Sequence, residues 1–209
     1  MKIIEGFLAG KQIHYKEQKG TRVTTDKVRK AVFDVLKGLI ENPSTSLGTN
    51  SASLEGLNVA DLFCGSGMYG IEALSRGAGS CVFVDDDKSI IHQLRKNLSK
   101  LKVESLPSQT AQSANSGKPE LFDGVNKVES KSYEKFIKTC DEKFDLIFAD
   151  PPYYNFDFEK LNTVHQILNK GGIFVLEQSK RGGIKELNGL ELFLEKKYGD
   201  TRVLFFRKI

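Results

Sequence analysis

A short apolar run that ends in a glycine-rich turn and opens a helix is the feature that most constrains this chain. Residues 59–62 (Val-Ala-Asp-Leu) lead into the turn at 63–67 (Phe-Cys-Gly-Ser-Gly), and a helical pattern follows. Glycine lets the backbone approach a ligand closely at the start of a helix. A second apolar run, 81–84, ends at Asp85, twenty residues after Gly65, where α/β nucleotide folds hold ribose hydroxyls. The pattern predicts a nucleotide-binding α/β unit.

A third apolar run ends in a carboxylate and two prolines. Phe144–Ala149 is followed by Asp150, Pro151, Pro152 and Tyr153. Proline fixes its own φ and restrains the residue before it, so the carbonyls of this turn are held in place. A carboxylate and a carbonyl beside an aromatic ring suit a planar group with an NH2, such as a nucleobase. The turn therefore predicts a site for an exocyclic amine, and a strand-ending turn with an incidental aromatic residue is the plain alternative.

The glycine spacing is also compatible with a different cofactor. Gly65-x-Gly67-x-x-Gly70 also matches the dinucleotide fingerprint, which would predict NAD. Two observations argue against NAD. Asp61 lies four residues before the first glycine, where it can reach a cationic ligand group, and the turn at Asp150 has no role in hydride transfer.

Strand and helix patterns alternate along the rest of the chain. Apolar spacing and capping residues predict a hairpin of 2–8 and 11–15, helices from 24 or 25 onward and at 89–101, 133–139 and 157–169, and strands at 124–129, 144–149, 173–177, 190–196 and 201–208. Gly171 and Gly172 are expected to cap the helix of 157–169. Strands that alternate with helices predict a doubly wound, mostly parallel α/β sheet whose ligands bind at the carboxyl ends of the strands.

The chain divides into three predicted parts. Residues 1–41 form a basic extension of a hairpin and a helix, 42–55 a polar linker loop, and 56–209 the catalytic domain, with a surface insertion at 105–120. Residues 1–40 contain nine Lys and Arg against four Asp and Glu, although the whole chain carries only +4. This excess predicts affinity for phosphates, and a solvated helix face is the plain alternative.

Composition argues against several other classes of protein. No apolar run reaches the roughly 18 residues of a membrane span, and Lys2 and Glu5 interrupt any apolar signal core at the start. Cys64, Cys81 and Cys140 are scattered and lack metal-ligand spacing, which predicts reduced thiols in the cytoplasm. The three histidines are far apart, so no metal site is expected.

These motifs taken together resemble one family. The chain resembles the S-adenosylmethionine-dependent methyltransferases that modify amines, and within them the RsmD family of 16S ribosomal RNA guanine-N2 methyltransferases. The resemblance covers most of the chain and rests on the segments 1–6, 20–33, 61–67, 72–78, 144–153 and 198–201. It implies a seven-stranded, Rossmann-like methyltransferase sheet with an N-terminal hairpin and helix. It also implies a cytoplasmic enzyme whose partner is ribosomal RNA, free or within a small-subunit assembly particle.

The resemblance also implies which residues contact the methyl donor. Asp61 would face the ammonium group of S-adenosylmethionine, Asp85 would accept hydrogen bonds from its ribose hydroxyls, and the backbone at Gly65 and Gly67 would approach its amino-acid part. The full set expected to bind the cofactor is Asp61, Phe63, Gly65, Gly67, Asp85 and Asp86. No metal is required, since the positive sulfur already activates the methyl group.

The catalytic set implied in the same way is Asp150, Pro151, Pro152 and Tyr153. Asp150 and the Pro151 carbonyl would accept the two N–H groups of the target amine, whose lone pair is otherwise delocalised into the ring. Placement at near-attack distance can supply roughly 7–11 kcal/mol in the best intramolecular cases. Tyr153 would stack on the base, and its neighbour Tyr154 is the competing candidate for that role. The residues expected to bind RNA are Arg22, Thr24, Lys27, Arg29 and Tyr153.

The chain departs from the family pattern in three places. Val23 replaces the proline of the family's Arg-Pro-Thr segment, and Asp85 stands where members usually carry a glutamate. Members also tend to have an aspartate for the adenine amino group after the third strand, where this chain has Glu-Ser-Lys-Ser at 129–132. Either a serine makes that contact, or the insertion at 105–120 shifts the alignment.

Three rival functions remain. A DNA adenine-N6 methyltransferase uses the same turn chemistry but typically needs a separate target-recognition domain, and about 40 residues beyond the core are few for that. A protein glutamine methyltransferase would have asparagine in place of Asp150. A non-catalytic RNA-binding module would have lost the cofactor residues, whereas Gly65, Gly67 and Asp85 are all present.

Overall fold

The sheet that positions the site contains seven strands within the described part of the chain. The computed structural model describes residues 1–15, 25–41, 54–102, 126–152 and 156–209. The strands are β1 (Asn58–Leu62), β2 (Ser80–Asp85), β3 (Asn126–Ser130), β4 (Phe144–Ala149), β5 (Leu168–Ser179), β6 (Leu190–Tyr198) and β7 (Thr201–Lys208). The helices are α1 (Asp26–Glu41), α2 (Met68–Ser75), α3 (Lys88–Leu101) and α4 (Tyr133–Thr139), with a 3-10 helix at Phe158–Ile167.

The strand order is β3-β2-β1-β4-β5-β7-β6, and the predicted fold class is confirmed. The first five strands run parallel, while β7 pairs antiparallel with both β5 and β6. One apolar cluster packs α1, α2 and α3 against one face of the sheet, and a second packs α4 and the 3-10 helix against the other. The closing antiparallel pair was predicted from the sequence, and β4 has the predicted bounds.

Capping residues set the starts of α1 and α3. The Thr25 hydroxyl accepts the Val28 N–H at 3.3 Å, as expected for a threonine N-cap. The Asp87 carboxylate accepts the N–H groups of Ser89 and Ile90 at 2.7 and 3.2 Å. None of the described helices is both long and apolar enough to cross a membrane. The predicted insertion at 105–120 and most of the linker at 42–55 lie outside the described residues.

The N-terminal segment folds back on itself, but it is less regular than the predicted hairpin. Ile3 N–H donates to the Lys11 carbonyl and Ile13 N–H to the Met1 carbonyl, at 3.0 and 2.9 Å. A single bridge, Lys2 with Gln12, stands in place of two strands. The turn between the arms is longer than Ala9-Gly10, because the backbone bends against α2 already at Gly6, whose Cβ position would coincide with Ser75.

Glu72 on α2 attaches this segment and α1 to the sheet. Its carboxylate accepts the N–H groups of Ile4 and Glu5, both at 2.9 Å. Arg29 from α1 lies 3.5 Å away and Arg76 lies 3.0 Å away. Glu72 and Arg29 are both 0% exposed. The extension therefore shares one core with the sheet.

The strand β5 begins five residues earlier than predicted. Leu168 already pairs with Phe144, and after an irregular stretch the pairing resumes with Ile173 opposite Leu146. Gly171 has φ of 77°, so the glycine pair bends the strand instead of capping a helix. The predicted α-helix at 157–169 is correspondingly a shorter 3-10 helix, and its end feeds directly into β5.

Candidate active site

Two strand-ending turns lie side by side at the carboxyl edge of the sheet. Strand β1 lies between β2 and β4, with Leu62 paired to Val84 on one side and to Ala149 on the other. The glycine-rich turn, Asp85 and Asp150 therefore leave the sheet from three adjacent strands. Because neighbouring strands lie about 4.8 Å apart, the group spans roughly 10 Å. The chain order reverses between β1 and β4, and open α/β sheets bind ligands at such a switch point.

The glycine-rich turn has a backbone shape that glycine adopts without strain. Gly65 and Gly67 have φ of 50° and 76°. The Gly67 N–H donates to the Cys64 carbonyl at 2.6 Å and closes the turn. A Cβ on Gly67 would lie 2.5 Å from Leu94 Cδ1, whereas within the described chain a Cβ on Gly65 would meet only the Phe63 carbonyl, at 3.9 Å. As far as the described residues go, the space above Gly65 is open for a ligand to approach the backbone.

Asp61 places a buried carboxylate beneath this turn. The residue is 3% exposed, and its Oδ2 accepts the Gly70 N–H at 2.9 Å, in the first turn of α2. Burial, with the nearby charge of Asp85, raises the pKa of Asp61 to about 8. An opposite charge favours the ionised form of a carboxyl group, so a cation bound here would offset this penalty. The position suits a positively charged ligand group.

Asp85 connects the end of β2 to the turn. Its Oδ2 accepts the Gly65 N–H at 2.9 Å and its Oδ1 accepts the Asp87 N–H at 3.0 Å. Burial raises the pKa of Asp85, although these two hydrogen bonds act in the opposite direction. Each carboxylate oxygen has a second lone pair, which can accept a ligand hydroxyl. Asp86 is exposed beside it.

Asp150 leaves the sheet directly after the last paired residue of β4, Ala149. Pro151 is buried and Pro152 is exposed, so the turn begins in the core and emerges at the surface. Tyr153 lies outside the described residues, and its stacking role stays a prediction. The structure thus brings Asp150 and Pro151 next to the glycine-rich turn.

A buried tyrosine and glutamate beside Asp150 were missed by the sequence analysis. The Tyr69 hydroxyl donates to Glu177 Oε2 at 2.9 Å, and the Tyr69 ring stacks on Phe148 with centroids 4.8 Å apart. Burial, and then the charges of Glu177 and Asp150, raise the pKa of Tyr69 well above its usual value, so the phenol stays protonated. The pair ties α2 to β5 across β4 and fixes the glycine-rich turn relative to Asp150.

A sequence signal for Glu177 did exist. It follows the apolar run 173–176, just as Asp85 and Asp150 follow theirs. Leu176 pairs with Ala149, so Glu177 emerges at the level of Asp150. The rule that selected the other two carboxylates would have selected this one as well.

Aromatic rings line the other side of the turn. The Phe63 ring lies 5.0 Å from Tyr133 and 5.2 Å from Phe156. Phe63 has φ of 57°, and such strained positions, which cost on the order of 1–3 kcal/mol, cluster at ligand sites. The buried Tyr133 hydroxyl has no hydrogen-bond partner among the described residues. Within the stretch 129–132, Ser132 caps α4 by accepting the Lys135 N–H at 3.4 Å.

The structure corrects one of the predicted RNA contacts. The side chain of Arg29 is 0% exposed, pairs with Asp26 and Glu72, and donates to the Lys2 carbonyl at 2.6 Å, so it cannot contact RNA from this position. The resemblance of the segment 20–33 implied an RNA contact for Arg29, and no local signal shows its burial, because its ion-pair partner Glu72 lies 43 positions away in the chain. Lys27 is exposed, as an RNA contact requires. Arg22 and Thr24 lie outside the described residues.

The described residues contain no group of three or more His, Cys, Asp or Glu side chains that could hold a metal ion. Cys64 and Cys81 are buried, and burial raises the pKa of both thiols well above the usual value. A thiol that stays protonated is a poor nucleophile. The described side chains at this edge include carboxylates and aromatic rings.

Comparisons with known proteins agree with the fold. A solved structure named "Putative methyltransferase yhhF from Escherichia coli" superposes with a TM-score of 0.74 at 23% identity, covering 100% of this chain and 97% of that one. The "Putative rRNA methyltransferase YlbH" of Bacillus subtilis is 29% identical over 212 residues, 100% of this chain and 99% of that protein. The fold is that of the Rossmann-like methyltransferases.

The family follows from a match along almost the whole chain. The family described as "Conserved hypothetical protein 95" matches residues 1–207, and the chain belongs to it. This confirms the RsmD family that the sequence motifs indicated. A relative named "Ribosomal RNA small subunit methyltransferase D", from Buchnera aphidicola, is 27% identical over 187 residues, 87% of this chain and 80% of that protein.

Proposed function

We propose that this protein transfers a methyl group from S-adenosylmethionine to the exocyclic N2 amine of a guanine in small-subunit ribosomal RNA, in the cytoplasm. The observation that carries the proposal is the register of β1 with β4. It sets the glycine-rich turn at 63–67 beside Asp150 and Pro151, so a donor held by one turn lies against an amine held by the other.

The residues of the donor half fit S-adenosylmethionine. Asp61 offers a buried carboxylate whose raised pKa favours a cationic partner such as the ammonium group. Asp85 has free lone pairs for the ribose hydroxyls, and the open space above Gly65 admits the amino-acid part. When bound, S-adenosylmethionine supplies a methyl group that its positive sulfur already activates. The residues of this half therefore bind and orient, and no base is needed to activate the donor.

Asp150 and Pro151 act on the target amine. The Asp150 carboxylate and the Pro151 carbonyl accept its two N–H groups, which orients the nitrogen lone pair and favours pyramidal geometry. Near-attack placement of this kind is worth up to roughly 7–11 kcal/mol. The surplus proton of the methylated nitrogen then leaves to Asp150 or to water. The base itself has to be unpaired or flipped out of its helix to reach the turn.

The substrate class is supported by the relatives. Proteins named ribosomal RNA small subunit methyltransferase D match this chain at 25–30% identity. The excess of Lys and Arg in residues 1–40 agrees with a polyanionic partner, and the described parts of this extension pack in one core with the sheet. Guanine N2 is the position that the resemblance implies, and the carboxylate–carbonyl pair at 150–151 suits any exocyclic amine of that geometry.

Nucleoside mass spectrometry of ribosomal RNA from cells with and without this protein tests the proposal. We expect one N2-methylguanosine of the small-subunit RNA to disappear and to return when the wild-type gene is supplied. Unchanged ribosomal RNA together with reduced N6-methyladenine in DNA would instead assign the protein to the DNA methyltransferases.

A further inference from the structure

We propose that the loop after β5, residues 179–183, binds the phosphate backbone of the RNA next to the target nucleotide, through Lys180 and Arg181. This inference rests on the proposed function and adds a substrate-binding surface to it. Neither residue was among the RNA contacts expected from the sequence. The surface is called here the β5 loop.

The β5 loop stands directly beside the candidate active site. Strand β5 pairs with β4 up to Leu176, opposite Ala149, and then continues for three residues to Ser179. At about 3.3 Å per residue, Lys180 lies roughly 13 Å beyond that edge, just after the strand next to β4. A base held at Asp150 would therefore have its flanking phosphates within reach of long side chains on this loop.

The loop is held in one conformation by hydrogen bonds. Gly182 N–H donates to the Ser179 carbonyl at 3.1 Å, and Lys180 N–H donates to the Asp200 carbonyl at 2.8 Å. Arg202 on β7 donates to the carbonyls of Gly182 and Lys180 at 2.9 and 3.3 Å. Arg202 is 13% exposed and also pairs with Glu195 at 3.0 Å, so its guanidinium is held within the protein. A loop fixed in this way loses little further entropy when it binds.

The cations on the loop are available to a ligand. The side chains of Lys180 and Arg181 are exposed, and within the described chain the structure gives neither of them an ion-pair partner. The neighbouring basic residues differ, because Lys185 pairs with Glu159, and Lys197 pairs with Glu195. Asp200 at the hairpin turn is exposed, and the loop contacts it through its backbone carbonyl, which accepts the Lys180 N–H.

Phosphate is the ligand chemistry that this arrangement fits best. Lys and Arg on a fixed loop contact nucleic-acid phosphates as sequence-independent positioning groups, which leaves base recognition to the turn at Asp150. Protein interfaces are centred on clustered anchors in which Trp and Tyr are enriched. The loop contains no aromatic residue, and Ile184 directly after it, 42% exposed, is a single aliphatic side chain.

The test compares salt dependence of RNA binding in full-length variants. The probe is a fluorescein-labelled single-stranded RNA of mixed sequence, titrated by anisotropy between 50 and 300 mM KCl (on the order of the range where counterion release dominates). Lys180→Ala/Arg181→Ala is expected to lower the slope of log K against log[KCl] by about 1.4 and the affinity at 0.1 M salt by about 25-fold, since each single-strand phosphate contact contributes about 0.7. Affinity for S-adenosylmethionine should match that of the wild type.

Two matched variants separate charge from structure. Lys180→Arg/Arg181→Lys keeps both charges and should keep the slope, and Lys96→Ala/Lys100→Ala, two exposed lysines on α3, should leave it unchanged. A wild-type slope in the double-alanine variant would overturn the inference, and so would an equal loss in either control. If the wild-type protein binds S-adenosylmethionine but shows no salt-dependent RNA affinity, the RNA substrate of the proposed function fails as well.

Discussion

Two buried carboxylates contact α2, Glu72 on the helix itself and Asp61 on β1, and they differ in the number of groups that neutralise and hydrogen-bond them. Toward the C-terminal end, Glu72 accepts two backbone N–H groups and lies against two arginines. At the N-terminal end, Asp61 accepts one N–H group, from Gly70, and burial raises its pKa to about 8. Both residues are at most 3% exposed. The two carboxylates are buried to nearly the same degree, but Glu72 has more hydrogen-bond donors and positive charges around it than Asp61.

This difference separates a structural carboxylate from one prepared for a ligand. A buried charge that is fully hydrogen-bonded and paired holds secondary-structure elements together, and removing one partner leaves the remaining charges buried without compensation. A carboxylate with a strongly raised pKa at the ligand-binding edge of a sheet is a candidate functional group, because a bound cation completes its environment. Glu72 therefore attaches the N-terminal segment and α1 to α2, and we expect Asp61 to bind a positively charged ligand group.

Removing the structural carboxylate should have the largest effect on stability. Glu72→Ala removes the buried ion-pair partner of Arg29 on α2 and leaves Arg29 with Asp26 as its one ion-pair partner in the described chain. It also frees the backbone N–H groups of Ile4 and Glu5, so we expect a loss of about 3–5 kcal/mol in the free energy of unfolding. Urea denaturation measures it. Exposed Glu191 on β6 is the matched control, and its change to alanine should cost less than about 0.5 kcal/mol. A loss below about 1 kcal/mol in Glu72→Ala would mean that this end of α2 is not the anchor.

A backbone substitution at the other end of α2 should have an intermediate effect. Gly67→Ala adds a Cβ at φ of 76° and 2.5 Å from Leu94, so both strain and overpacking contribute, about 2–3 kcal/mol in total. Gly171→Ala has nearly the same φ but open space within 4 Å of its Cβ, and should cost only about 1 kcal/mol. Equal losses in the two variants would show that packing against Leu94 does not constrain the turn.

Counted per pH unit, the smallest effect is a pH dependence that isolates Asp61. A raised pKa means that the folded state binds the proton of Asp61 more tightly than the unfolded chain does. Protonation of Asp61 therefore stabilises the fold, and this stabilisation is complete below the pKa of about 3.9 of the unfolded chain. It declines as the pH rises toward about 8. Asp61→Asn removes the titration, and its stability relative to the wild type should rise with pH by about 1 kcal/mol per unit between 5 and 8. Denaturation of the ligand-free proteins at three pH values measures the difference, and a constant difference would contradict the raised pKa.

Much of the fold could be predicted because apolar runs and caps are local signals. The strand Phe144–Ala149 was predicted at its true ends, since two prolines stop it, and the Asp87 cap accounts for the start of α3. Strand β5 was placed too late, because Gly171-Gly172 is equally compatible with a helix cap and a bent strand. The pairing of these residues with β4 decides between a helix cap and a bent strand, and that pairing cannot be read from the local sequence pattern.

The site residues that directly end a strand could be predicted from the sequence. Contacts between residues far apart in the chain could not. Asp61, Asp85 and Asp150 could be found from the apolar runs that carry them. Arg29 was misassigned because nothing local to it signals a partner on α2. The hydrogen bond between Tyr69 and Glu177 joins residues 108 positions apart, and it too becomes visible only when the sheet is assembled.

The central claim is that the edge consists of two half-sites, one for the donor and one for the amine. Asp150→Ala separates them most directly, by calorimetric titration of S-adenosylmethionine and single-turnover methylation of ribosomal RNA on the same preparation. We expect donor affinity within about twofold of the wild type and a methylation rate lower by about 10²–10³-fold, since the lost interaction is made with the amine alone. Wild-type methylation, or donor affinity lost in parallel with the rate, would contradict the division.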